Sequence, residues 1–203
     1  MEQLPDQIES VFQTGFPGLS QTRRLFRLFR CMTTTITDPS AARSRGASTL
    51  APAARAVPRL NYAKAAPDVI RGMLALQQTV DDSGLEHSLV ELVKLRASQI
   101  NGCAFCIDMH SREAREAGET EPRLHLLNAW HEVDLYTPRE RAALRWTEVL
   151  TRLAGGHVSD ADFEAVRGEF SDRELAALTL AIATINAWNR FGVGFRMPPG
   201  FDH

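Results

Sequence analysis

The sequence predicts an all-α protein, and three observations carry that prediction. From Pro58 onward the apolar residues recur at helical spacing. Helix-start signals recur as well: Pro67 suits a first helical position, Thr137-Pro138-Arg139-Glu140 reads as a capping box with proline at N1, and Ser171 stands three residues before Glu174. No segment alternates polar and apolar residues between turn signals as a half-buried strand would.

The first predicted helix starts at Pro67, carries Val69, Ile70, Met73, Leu74, Leu76 and Val80 as a stripe, and ends at Gly84. A second runs from Leu85 to Ile100 and is broken by Asn101-Gly102. The third begins at Cys103 and ends near Gly118, and a shorter piece covers Leu124 to Trp130. The Thr137 capping box launches a helix that stops at Gly155-Gly156. Ser159-Asp160-Ala161-Asp162 starts a short helix to Phe170, and Ser171 caps a long last one. That last helix is uncharged from Leu175 through Trp188, so it should be surrounded by protein. The second helix is nearly as enclosed, its apolar residues covering roughly 220° of its circumference. Two such helices in one small bundle predict self-association, with part of this apolar surface as the interface.

At 203 residues the chain is read as one folded domain over residues 58–203, preceded by a weakly ordered extension over residues 1–57 that is rich in Pro, Gly, Ser, Thr and Arg. Arginine alternates with Leu and Phe from Arg23 to Arg30, which reads as a few frayed turns rather than a docking helix; Met32 is an alternative start. The composition, 44% hydrophobic and 24% charged, is that of an ordinary globular protein. A net charge of −2 gives no electrostatic case for nucleic acid or an anionic membrane as partner. Three cysteines do not form a secreted disulfide framework, and a reducing cytoplasm is expected, with Cys31 left over. The Arg23-Arg24 pair lacks the apolar stretch of a twin-arginine signal. The run Leu19 to Val57 shares the composition of a transit peptide but nothing more specific, and Leu175 to Asn189 is too short to span a bilayer.

Chemistry concentrates at Cys103-Ala104-Phe105-Cys106 and His110. On a helix, Cys103, Cys106 and His110 fall within an arc of about 60°. Two thiols so close can open and close as a disulfide, and a histidine one turn on can manage the proton. The arc continues through Ile107, Ala114 and Ala117, while Asp108, Arg112, Arg115 and Glu116 lie opposite. The thiol face is therefore expected to point inward, among small residues that let a neighbouring helix approach. Cys106, within helical reach of His110, is assigned as the attacking thiolate and Cys103 as the resolving one. The reverse order, in which the first cysteine of a CxxC attacks, stays open.

Two bland accounts compete with this one. The cysteines can be inert core residues, or Cys103, Cys106 and His110 can be three ligands of a zinc site, although the chain has no second half-site. Glu91 shares a polar strip with His87, Lys94 and Ser98, which on periodicity alone reads as a solvated face. Arg96 falls inside the apolar arc of its helix and must meet a carboxylate, with Asp108 and Glu148 as candidates.

The stretch from Glu91-Leu92-Val93-Lys94-Leu95-Arg96 through Asn101-Gly102-Cys103-Ala104-Phe105-Cys106 to His110 resembles the alkylhydroperoxidase D (AhpD) core of the carboxymuconolactone decarboxylase superfamily. The shared pattern is a glutamate twelve residues before the CxxC and a histidine four residues after its second cysteine. The resemblance extends from Arg59-Leu60-Asn61-Tyr62 to the end, including Trp146-Thr147-Glu148 and Asn186-Ala187-Trp188-Asn189-Arg190. It implies an AhpD-like helical bundle that assembles as trimers or hexamers. It also implies that Glu91 and His110 relay protons to activate Cys106, which attacks an organic hydroperoxide, and that Cys103 then closes a disulfide. No metal or organic cofactor is implied, only an external dithiol reductant, which in the family's best-known system is a lipoyl-bearing protein.

Phe105 departs from the founding peroxidases, which often carry histidine there, so a general disulfide reductase is the alternative. The decarboxylase branch works without the CxxC pair, so both cysteines argue against lactone chemistry.

Overall fold

A computed structural model describes residues 57–200 of the chain. Its helices are α1 (Tyr62–Ala65), α2 (Pro67–Asp81), α3 (His87–Asn101), α4 (Ala104–Glu116), α5 (Glu121–Leu126), α6 (Pro138–Thr151), α7 (Asp160–Arg167) and α8 (Asp172–Gly194). Two 3-10 segments, Leu127–Glu132 and Leu153–Gly155, complete the regular structure, and no strand occurs among the described residues. The extension expected over residues 1–57, with Arg23 to Arg30 and Cys31, lies outside the described residues apart from Val57.

The termini follow the sequence signals. Pro67 opens α2. The Thr137–Glu140 and Ser171–Glu174 pairs both close as reciprocal capping boxes, each contributing on the order of 1 kcal/mol. Gly102, at φ 65°, takes the left-handed conformation that ends α3, and Cys103 immediately becomes the N-cap of α4. Helix α1 is one turn that periodicity does not reveal; it forms because the Asn61 side chain accepts a hydrogen bond from the Lys64 N–H at 3.0 Å. The piece expected over Leu124 to Trp130 is α5 followed by a 3-10 segment, kinked at Ala129.

Helix α3 lies at the centre, packed on α4, α6 and α8. It sends apolar side chains in three directions. Leu89 and Val93 join Trp146, Val166, Phe170, Leu178 and Ile182; Leu92 and Leu95 meet Leu124, Leu127, Trp130 and Leu144; Val90 packs with Val80 and Ala181. That is why its apolar arc is so wide, and a single chain suffices to bury it. Helix α8 corrects the expectation of enclosure on every side. Helices α2, α3, α4, α6 and α7 pack against it, yet Ala176, Ala183 and Val193 are exposed and Leu180, Ala187 and Trp188 only half-buried.

Arg96 finds Glu148 rather than Asp108, which pairs with Arg112 at 3.3 Å instead. Arg96 Nε and Nη2 donate to Glu148 Oε1 at 2.9 and 2.6 Å, and Trp130 Nε1 donates to the same oxygen at 2.9 Å. Arg152 Nη1 holds Glu148 Oε2 at 2.9 Å. This hub ties α3 to α6 and to the 3-10 segment before it. Glu148→Ala would leave a buried guanidinium uncompensated, and thermal or urea unfolding should read a loss of about 3–5 kcal/mol. A loss below about 1 kcal/mol would mean that water reaches the pair.

Candidate functional site

The site sits where α3 gives way to α4. The turn at Gly102 places Cys103 at the N-terminus of α4, where its sulfur accepts the Cys106 N–H at 3.3 Å. Cys103 and Cys106 are buried and joined as a disulfide, with Cα atoms 5.3 Å apart. His110 follows one helical turn below Cys106 on the same inward face, 4% exposed. Ala114 continues that face, but Ala117 is exposed because α4 has already ended at Glu116. Phe105 is buried, in keeping with a packing role.

Glu91 arrives from α3. The bland reading of its strip as a solvated face holds only for His87, which is exposed: Glu91 is 2% exposed, Lys94 is 8% exposed, and Ser98 is fully buried. The strip faces α4, whose small, polar inward side leaves room for it. Glu91 Oε2 lies 2.9 Å from His110 Nδ1, while Glu91 Oε1 accepts from Lys94 Nζ at 3.1 Å. His87 Nε2 stands 3.8 Å from the same Oε1. A second carboxylate, Glu113 Oε2, lies 3.1 Å from His110 Nδ1. All four residues expected at the site therefore occupy one buried region, with Glu91 and His110 in direct contact and the two sulfurs bonded.

The charges of this cluster set its protonation. Burial opposes ionisation of Glu91, but the His110 and Lys94 charges overcome it and hold the carboxyl well below the usual carboxylate range. Burial also opposes a charged His110, yet the Glu91 charge and the hydrogen bonds that Glu113 and Glu91 accept from the ring raise its pKa above that of an ordinary histidine. Between the ordinary carboxylate and imidazole values the pair is therefore carboxylate and imidazolium, with Nδ1 facing carboxylate oxygens. His110 Nε2, on the far side of the ring, is buried and has no hydrogen-bond partner among the described residues. A buried nitrogen left so is costly.

The atoms of Glu91, His110 and Glu113 lie within 4.8 Å of one another, the spacing of a cation cage. Lys94 Nζ, 3.1 Å from Glu91 Oε1, already supplies a positive charge to this cluster.

Two contributions escaped the sequence reading. Gly192 of α8 packs straight onto the disulfide: a Cβ there would lie 2.6 Å from Cys103 Sγ and 3.4 Å from Cys106 Sγ. A glycine inside a helix costs about 1 kcal/mol relative to alanine, which hints at close approach. Gly194, two residues on, has nothing within 4 Å of its would-be Cβ, so composition alone could not choose between them. The other contribution is an amide network at the end of α3. Asn101 Nδ2 donates to Asn186 Oδ1 at 2.9 Å and Asn189 Oδ1 at 2.8 Å, and Asn189 Nδ2 donates to Ser98 Oγ at 3.0 Å. It clamps the residue before Gly102 to α8 and so fixes the CxxC against Gly192.

Comparison with known proteins agrees with this architecture. The family model described as the carboxymuconolactone decarboxylase family matches residues 67–149. The uncharacterized protein YdfG of Bacillus subtilis is 40% identical over 135 residues, covering 66% of this chain and 92% of that protein. The chain belongs to the carboxymuconolactone decarboxylase family. Among solved structures of AhpD-like members, a protein of unknown function from Agrobacterium tumefaciens, provisionally assigned to antioxidant defence as AhpD, is 46% identical. It superposes with a TM-score of 0.70 over 72% of this chain and 100% of its own. An uncharacterized peroxidase-related protein from Ralstonia eutropha with an alkylhydroperoxidase AhpD core shares 23% identity, at TM-score 0.62 over 72% of this chain and 78% of that one, and speaks for the fold alone. The all-α, AhpD-like bundle expected of this family member is thus the fold observed.

Proposed function

We propose that this protein is a thiol-dependent peroxidase that reduces organic hydroperoxides through a Cys103–Cys106 dithiol/disulfide cycle. The observation that supports it most is the buried Glu91–His110 pair one turn from Cys106, its Nε2 unengaged while the sulfurs are bonded. In the reduced protein the imidazolium Nε2–H faces the Cys106 sulfur and favours its thiolate, as does the α4 N-terminus. The thiolate attacks the terminal oxygen of the hydroperoxide. The S–O bond forms, the O–O bond breaks, and the departing alkoxide leaves as alcohol with the proton from His110. Cys106 is then a sulfenic acid. Cys103 displaces its hydroxyl as water, the proton passing from the Cys103 thiol, and the disulfide closes. An external dithiol, for which a lipoyl-type group is the family precedent, reduces it again.

Phe105 favours a second reading, a general disulfide reductase that uses the same couple with a weaker peroxide step. A cytoplasmic setting suits a couple that must be reduced repeatedly. The uncovered apolar flank of α8 suits a homo-oligomer, a trimer or hexamer by family precedent. The described residues include no helix long and apolar enough to cross a membrane.

The test is steady-state turnover of alkyl hydroperoxides with dihydrolipoyl, thioredoxin or glutathione donors. Cys106→Ser is expected to fall to background, while Cys103→Ser should still react once and stop at a sulfenic acid. Native-rate turnover by Cys106→Ser would overturn the assignment of the attacking sulfur. Disulfide reduction without peroxide consumption would select the second reading, and activity surviving loss of both cysteines would point to lactone-type chemistry.

A further inference from the structure

A buried acid–base pair must exchange protons with water by some route, and Glu91 does not offer one. It is 2% exposed, and its second oxygen is held by Lys94 at 3.1 Å. Glu113 is placed differently. It lies three residues after His110 on α4, so its carboxylate reaches back to the ring, with Oε2 3.1 Å from Nδ1. Its side chain is 33% exposed against 5% for that of His110. One end of Glu113 thus touches the buried imidazole and the other touches solvent.

We propose that Glu113 is the solvent-side member of the proton relay, carrying protons between water and the buried His110–Glu91 pair. The proposal rests on the reading of His110 as the proton partner of Cys106. Glu113 touches neither sulfur nor substrate; it is a positioning residue that acts through His110. When the Cys106 thiol gives its proton to Nε2 of a neutral His110 that carries its own proton on Nδ1, the Nδ1 proton leaves to Glu113 and from there to water. The reverse sequence protonates the sulfur when an external thiolate opens the disulfide: the S–S bond breaks, a mixed disulfide forms, and the expelled enzyme sulfur collects its proton from Nε2 of the ring's other neutral tautomer as the bare Nδ1 is filled from Glu113. No electron moves in the relay, and each proton taken at one nitrogen is matched by one given at the other.

The charged and titratable groups facing His110 are consistent with this division. From α3 come Glu91 and Lys94, with His87 3.8 Å behind Glu91; from α4 comes Glu113, and Cys106 lies one turn before His110 on the same helix. Glu91 is engaged by Lys94 at its second oxygen, which leaves Glu113 as the part-exposed carboxylate on Nδ1. The raised pKa of His110, to which the Glu113 hydrogen bond contributes after the Glu91 charge has offset burial, fits the same contact.

The experiment follows reduction of the Cys103–Cys106 disulfide by dithiothreitol in stopped flow, for the full-length wild type and Glu113→Gln, across pH and at increasing concentrations of a small buffer acid. Glu113→Gln should be slower by about tenfold, less than the ~10²-fold a group in direct proton transfer contributes. Added formate or imidazole buffer should restore the rate in proportion to its concentration. A wild-type rate and pH profile in Glu113→Gln would overturn the proposal. So would a slow variant that no buffer restores, since that marks a merely structural contact. Because dithiothreitol replaces the physiological partners, the result is independent of hydroperoxide turnover: absent turnover in the wild type with buffer-restorable Glu113→Gln would remove the peroxidase reading and leave the relay standing.

Discussion

Replacing Glu91 with glutamine is expected to damage stability and reactivity together. Glutamine keeps the shape but removes the charge that holds Lys94 Nζ at 3.1 Å and His110 Nδ1 at 2.9 Å. An ammonium that is almost fully buried is then left without its counter-ion, which costs about 3–5 kcal/mol when one partner of a buried pair is deleted. Denaturant unfolding should read that loss at neutral pH. The pH dependence has a definite sign. Glu91 is depressed, so its contribution is present above the ordinary carboxylate pKa and disappears as pH falls through its lowered value. His110 is raised, so its contribution is present below the ordinary imidazole pKa and disappears as pH rises through its elevated value. The ion pair is therefore fully formed at least between the ordinary values of 4.5 and 6.5, and the wild-type advantage over Glu91→Gln should be greatest there. Thiol reactivity of the reduced variant should also fall, by about 10²-fold or more, with its pH profile displaced upward as the imidazolium loses its carboxylate. Lys94→Met combined with Glu91→Gln should recover stability and leave reactivity low, separating the two effects.

Gly192→Ala is expected to act on the disulfide itself. The new Cβ would stand 2.6 Å from Cys103 Sγ, closer than packed atoms tolerate. In the oxidised protein that sulfur is tied to Cys106 and cannot swing aside; in the dithiol it can rotate. Overpacking of this kind costs about 1–3 kcal/mol, and alanine returns only about 1 kcal/mol through helix propensity. The net penalty falls mainly on the disulfide state, so redox titration against dithiothreitol should move toward the dithiol by about tenfold, a difference of about 1.4 kcal/mol. Gly194→Ala, with open space around its Cβ, is the control and should leave the titration unchanged.

The contrast between these residues shows what could be read in the sequence. Fold class and helix ends were legible because capping boxes and prolines at N1 are local signals, and Thr137, Ser171 and Pro67 act as such. The thiol face was legible because Cys103, Cys106 and His110 lie on one helix, where spacing fixes direction. Glu91 was not legible from periodicity, since the polar strip it shares with Lys94 and Ser98 looks like a solvated face until α4 is seen covering it. Only the family pattern singled it out. Gly192 and the Asn101–Asn186–Asn189 network depend on α8, nearly ninety residues further along the chain, crossing the CxxC turn. Tertiary approach of that kind leaves no periodic trace. Glu113 was hidden among the charges near the exposed side of α4 because its use depends on its side chain bending back over one turn.

The central claim, that Cys103 and Cys106 form a peroxide-driven couple, is tested most directly by the intact mass and free-thiol count of reduced protein after one equivalent of an organic hydroperoxide. The account predicts that wild type loses two hydrogens and both site thiols, leaving Cys31 titratable, and that Cys103→Ser instead gains one oxygen, localised to Cys106. Reduced wild type that keeps its mass and all three thiols while the hydroperoxide remains unconsumed would contradict it.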